Sequence, residues 1–293
     1  MSNTLLCICA HWIPKRYFSI HSLKKNFAYG SYILITDILS NICFHIQNTL
    51  VGKYFSPYTA GQYAQAKKME EVACITLPSA MNQVLFPLYS KMQDDLIWLK
   101  DKLRMHTKLI AFVLFPLLTL LIIIAKPVIL LLFGEKWMDS IPYFQALCIG
   151  GYFCSLQYFN YYAVAAIGKS RALFFAGVFK CIVLIGLLSI CAKISMNAVL
   201  IAIIVSNFVN YITNAILAQR YINYDIYQQV ADVISSLISS VVSGIIVIYL
   251  RDAIEVHWIL TALIYVMSYM IISMIVNDPL MHTIFNYLKR CIN

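Results

Sequence analysis

Charge is scarce in this chain: Asp, Glu, Lys and Arg together make up 12% of its 293 residues, while hydrophobic residues make up 61%. A soluble fold of this length could not bury so much apolar surface, and a mean hydropathy of +0.76 places the chain among integral membrane proteins. Acidic residues are the rarer sign, which leaves a net charge of +9. Basic loops that follow the positive-inside rule account for that excess, so no nucleic-acid partner is implied. Metal-ligand spacing is also missing. None of the nine cysteines forms a CxxC pair, the six histidines form no HExxH, and most cysteines sit inside apolar runs. They read as small buried hydrophobes, with neither a disulfide framework nor a metal site, and no cofactor is implied. GxSxG and P-loop patterns are absent too. The extracytoplasmic interval Gly52–Glu71 is short for a glycan polymerase, so an enzyme is the minor reading.

The long apolar runs predict an all-α membrane protein with about eight spans. They fall near Phe27–Val51, Val72–Leu88, Leu109–Ala125, Tyr143–Ala166, Ala172–Ala192, Met196–Ala218, Ala231–Leu250 and Trp258–Val276. Pro127, which has no amide hydrogen, should restart the helix beyond the third span. Of the 22 Lys and Arg residues, fourteen fall in alternate intervals and in both termini, and seven in the remaining intervals. That bias puts both ends in the cytoplasm. The expected organisation is a cytoplasmic segment over 1–26, three spans over 27–133, five spans over 134–278 and a cytoplasmic tail over 279–293. Within 1–26, SNTLLCICAHW is too short to span and too short for a signal-peptide core. Followed by IPKRYF, it reads as the last turns of a preceding helix.

One basic residue, Lys180, belongs to no interval, because it lies inside the run LFFAGVFKCIVLIGLLSI. A cation in mid-bilayer costs roughly 3 kcal/mol on insertion scales. Asp37 is its acidic counterpart in the first span. On an ideal helix Asp37, Asn41, His45 and Asn48 fall within an arc of about 80°, and Ser206, Asn207, Asn210, Thr213 and Asn214 within about 120°. Gln157, Asn160 and Tyr161 form a shorter face, as do Ser79, Asn82 and Gln83. Helix–helix hydrogen bonding explains any one such residue. Four spans with polar stripes point instead to a wet cavity between helices. Lys180, Asn41, Asn48, Asn207, Asn210 and Gln157 are the candidate substrate-binding residues, and Asp37 is the candidate for ion coupling. Asp37 and Lys180 could equally pair with each other.

Four stretches, in order along the chain, carry a resemblance. They are GKYFSPYTAGQYAQAKKME (Gly52–Glu70), SAMNQVLFPLYSKMQDD (Ser79–Asp95), LLFGEKWMDSIPYFQAL (Leu131–Leu147) and AIGKSRALFFAGVFK (Ala166–Lys180). They resemble the bacterial lipopolysaccharide and O-antigen polysaccharide flippases of the multidrug/oligosaccharidyl-lipid/polysaccharide exporter superfamily. The resemblance implies a MATE-like transporter of two helical bundles around a central cavity, of which this chain would be mostly the carboxy-terminal part. It also implies an inner-membrane location and the flipping of an undecaprenyl-pyrophosphate-linked oligosaccharide. A separate amino-terminal half or a second copy would be the protein partner, alongside membrane lipid. Lys180 matches a position where similar sequences carry lysine, whereas Phe175 and Gly177 replace charges common nearby. A drug or metabolite exporter of the same superfamily, and an integral-membrane glycan polymerase or acyltransferase, are the alternatives.

Overall fold

The computed structural model describes residues 19–254 and 257–276, all of them in helices, turns and short connections. The expected helix remnant before Trp12 and the expected tail over 279–293 lie outside the described residues, as do Cys7, Cys9 and Cys291. The helices are α1 (Ile20–Tyr54), α2 (Pro57–Glu71), α3 (Leu77–Lys91), α4 (Leu96–Ile123), α5 (Ala125–Phe133), α6 (Ile141–Ala166), α7 (Ser170–Cys191), α8 (Met196–Ile222), α9 (Ile226–Ile254) and α10 (Trp258–Ile275). A π-helical turn, Val72–Thr76, joins α2 to α3, and a 3₁₀ turn, Glu135–Ser140, precedes α6.

Local chemistry sets these boundaries. Ser56 caps α2 by accepting the Thr59 amide, with Pro57 in the first turn, where no amide hydrogen is needed. Asp95 caps α4 through the Trp98 amide, and Ser195 caps α8 through the Ala198 amide. Asn223 ends α8 in the left-handed region (φ 58°), a conformation that asparagine tolerates. The helix breaks at Ile124 and restarts with Pro127 in the first turn of α5, as the sequence predicts.

Each of the eight expected spans falls on a helix. Six helical segments are long and apolar enough to cross a membrane: Pro57–Lys91, Leu96–Ile123, Ser170–Cys191, Met196–Ile222, Ile226–Arg251 and Trp258–Ile275. The other two, α1 and α6, are long enough, but amides and hydroxyls interrupt their apolar runs. Gly52–Glu71, expected as an outer loop, is mostly helix α2, continuous with α3 over Pro57–Lys91. At ~1.5 Å per residue that helix is about 52 Å long, so part of it stands clear of a ~30 Å hydrocarbon layer.

The polar helix α6 is central, packing against α8, α4, α2 and α3, while α1 packs on α7, and α9 on α4 and α10. Close approach at α6 depends on glycine: a Cβ at Gly151 would lie 2.3 Å from Cys74 Sγ, and one at Gly150 3.0 Å from Asn207 Nδ2. Serine does similar work on α9. Ser236, Ser239, Ser240 and Ser243 are buried, and Thr119 of α4 hydrogen-bonds with Ser240.

The apolar core is divided by depth. One cluster, with Val51, Tyr63, Ile129, Phe144, Leu188 and Val199, lies toward the end that carries the 55–56 and 134–140 turns. A second, with Tyr89, Leu99, Phe159, Leu173, Tyr211 and Tyr224, lies toward the other end. Along α7 and α8, Lys180, Ser206, Asn207 and Asn210 fall between the two, and on α6 Gln157 and Asn160 lie at the near edge of the second.

Candidate functional site

Lys180 is the eleventh of the 22 residues of α7, at the midpoint of the helix. Two neighbouring cavities meet at its half-buried side chain. The larger, about 340 Å³, also has Asp37, Asn41, Gln157, Tyr162 and Asn214 on its walls. The smaller, about 130 Å³, has Gln47, Lys67, Glu70, Asn207 and Asn210. Ser40, Gln157, Tyr158 and Lys180 line both. Thus α1, α6, α7 and α8 each contribute polar side chains at one depth, where the two apolar cores leave a gap.

Hydrogen bonds organise the α6–α8 side of this band. Asn214 donates to Gln157 Oε1 (3.4 Å) and to Asn210 Oδ1 (3.3 Å), and Asn207 donates to the Gly150 carbonyl (3.4 Å). Asn160 donates to Gln229 of α9 at 2.9 Å, which ties the band to the neighbouring helix. On α1, Asn41 donates to the Asp37 carbonyl, while both side chains remain exposed. Among the described residues, the ion pairs are those of Asp232 with Arg104 and Lys108. Asp37 and Lys180 therefore share a cavity without forming an ion pair.

The structure does not gather every candidate. Asn48 lines neither cavity, and its Oδ1 is buried without a hydrogen-bond partner among the described residues. His45 is exposed on α1, its ring edge-on to Phe44 at 5.3 Å between centroids, and lines neither cavity. In the Ser79–Gln83 face, Ser79 and Asn82 donate to carbonyls of their own helix, and Gln83 is exposed.

Two charges that the sequence places in a loop are buried beside Lys180. Lys67 is 6% exposed, hydrogen-bonds to Gln47 Oε1 and stands 4.5 Å from the centroid of the Phe44 ring. Tyr63 donates to the same Gln47 oxygen at 3.2 Å, and Glu70 is buried one turn further on. Asp37 and Lys180 are thus not the sole charges inside the bundle. The spacing of Tyr63, Lys67 and Glu70, four and three residues, marks one helical face and was the available signal. A second correction concerns cysteine. Cys43 and Cys181 form a disulfide that joins α1 to α7 next to Lys180, whereas Cys74, Cys148 and Cys154 are free and buried as expected.

Two lysines, two carboxylates and several amides thus line a polar space inside an apolar bundle, a set able to meet both charged and hydroxyl groups. Residues 1–142 match the family described as "Polysaccharide biosynthesis protein". The chain is 25% identical over 164 residues to the teichuronic acid biosynthesis protein TuaB of Bacillus subtilis, a match covering 56% of this chain and 34% of TuaB. It is 28% identical over 138 residues to the lipopolysaccharide biosynthesis protein WzxC of Escherichia coli, covering 47% of this chain and 28% of WzxC. The chain thus spans about a third of the length of these curated relatives. In structure it resembles the lipid II flippase MurJ in its inward closed conformation, with a TM-score of 0.71 and 17% identity, over 91% of this chain and 57% of MurJ. The chain is a multi-pass protein of the bacterial inner membrane, related over part of its length to proteins of polysaccharide biosynthesis and alike in fold to MurJ.

Proposed function

We propose that this chain forms one wall of a flippase that moves an undecaprenyl-pyrophosphate-linked oligosaccharide across the inner membrane for lipopolysaccharide or surface polysaccharide assembly. The observation that carries this reading is the polar cavity around mid-helix Lys180, held between two apolar cores. A pyrophosphate loses its hydration on entering a membrane, and a fixed cation with convergent amide donors replaces part of it. Glycan hydroxyls find partners in Asn41, Gln157, Asn207 and Asn210, while the lipid tail stays in the bilayer. No bond is made or broken, so the protein acts as a transporter and not as an enzyme. Asp37, in the same cavity and accessible from outside the bundle, is the group through which a proton or cation couples to transport.

The second wall is a further helical bundle, on another chain or on a second copy. Exposed Asp37, Asn41 and His45 on α1 support this, because polar groups facing hydrocarbon cost several kcal/mol each. The test is made in cells that assemble a surface polysaccharide. Disrupting the chain should trap the lipid-linked oligosaccharide on the cytoplasmic leaflet, and restoring it should release the block. Unaltered export in the disrupted cells would reject the reading.

A further inference from the structure

A further concavity is separate from the Lys180 cavities. It has a volume of about 930 Å³ and opens where α6 turns into α7, at the end that the charge bias assigns to the cytoplasm. Three cations line it: Lys169, Arg171 and Arg220. The Lys169 ammonium and the Arg220 guanidinium stand 5.5 and 5.7 Å from the Tyr221 ring centroid, and Arg171 stands 5.8 Å from that of Phe175. These contacts bring three like charges to one mouth. No carboxylate among the described residues pairs with any of them, since the ion pairs are those of Asp232. The N-terminus of α7 faces the same space, and no side chain caps it. Below the mouth the wall is apolar, with Phe175, Phe179 and Ile216 each about half exposed.

We infer that this groove docks a membrane lipid with a diphosphate headgroup, the headgroup between Lys169, Arg171, Arg220 and the α7 N-terminus, the chain along Phe175, Phe179 and Ile216. The apolar wall selects a lipid over a free anion. The three clustered cations select a diphosphate over a phospholipid, whose single phosphodiester would leave most of the positive charge uncompensated. The groove and the central cavity lie on different faces of the same two helices at the same depth, for Phe179 and Thr213 on the groove wall directly precede Lys180 and Asn214. The groove's role as a staging site for transport rests on the function proposed above, whereas its capacity to bind such a lipid does not.

The test uses the full chain in nanodiscs of neutral lipid, titrated with a fluorescent polyprenyl diphosphate. The wild-type chain should bind the probe, and the K169Q/R171Q/R220Q variant should bind it more weakly by about tenfold or more. Ile216→Trp, which fills the groove without touching the charges, should weaken binding in the same direction and stands in if the triple variant fails to fold. Phosphatidylglycerol and inorganic pyrophosphate should each compete at least about tenfold less well than unlabelled polyprenyl diphosphate. The inference is overturned if the wild-type chain does not bind the probe, if both variants bind it as wild type does, or if either competitor matches the diphosphate lipid. Binding that survives in the triple variant and disappears in Lys180→Ala would also overturn it, while leaving the central-cavity reading in place.

Discussion

Gly151 and Cys74 touch across the α6 interface, and a side chain at Gly151 has nowhere to go. Gly151→Ala should lower stability by about 1–3 kcal/mol, read as a fall in unfolding temperature in detergent. Adding Cys74→Ala removes the sulfur 2.3 Å from the new methyl and should recover most of that loss; equal losses in the single and double variants would contradict the contact. Asp232 makes a similar argument for charge. It accepts both Nε and Nη2 of Arg104 at 2.8 Å and the Tyr224 hydroxyl at 2.9 Å, with Lys108 Nζ at 3.2 Å. Asp232→Asn leaves two cations facing a neutral amide and should cost about 2–3 kcal/mol by the same measurement, since Arg104 keeps some contact with solvent. A wild-type unfolding temperature would show that the cluster does not staple α4 to α9. At this scale Lys180, Asp37, Asn41, Gln157, Asn207 and Asn210 were legible as residues that line an internal cavity, because a charge or an amide at mid-run stands out from its neighbours. Lys67 and Glu70 were not, because in Ala66–Glu71 four charged residues crowd together and read as solvent-facing loop. The helical periodicity beneath those charges decides which of them turn inward.

Helices and turns give the orientation its test. The 55–56 and 134–140 turns belong to one end: Tyr58 donates to Asp139 at 2.9 Å, and Gln62 to the Lys136 carbonyl at 2.8 Å. Two intervals that the lysine and arginine bias assigns to the outside are therefore neighbours. In a background without native cysteines, Ser56→Cys and Glu135→Cys should react with an impermeant thiol reagent added outside whole cells. Gln93→Cys and Asp225→Cys, exposed at the other end, should react only after permeabilisation. The reverse pattern would invert the topology. Most of the elements could be read from apolar run length and from Pro127. The continuity of α2 with α3 could not, since charge density hides a helix that continues out of the bilayer. Neither could the Cys43–Cys181 bond, whose partners are 138 residues apart and meet only because α1 packs on α7.

Among the described residues, the two larger apolar clusters with a polar layer between them leave the α1 side of that layer exposed. On α1, the exposed Asp37, Asn41 and His45 are flanked by exposed Leu34, Ile38 and Ile42, a mixture suited neither to lipid nor to water. A photo-crosslinking residue at position 41 should capture a protein partner in native membranes, either a second helical bundle or another copy of this chain. Capture of lipid alone would leave the cavity with a single wall. The fold class was legible at this scale because composition alone requires a membrane bundle. The division of the core by depth was not, because it depends on which helices come together at the level of Lys180.

The most direct measurement is transport of a fluorescent undecaprenyl-pyrophosphate-linked oligosaccharide across liposomes that hold the chain with its partner bundle. Lys180→Ala should lower flipping by about two orders of magnitude, a loss of ~3 kcal/mol, because the anion then crosses mid-membrane without its counter-charge. Lys180→Arg, which keeps the charge, should retain part of the activity. Wild-type flipping by the alanine variant would contradict the central role given to this lysine.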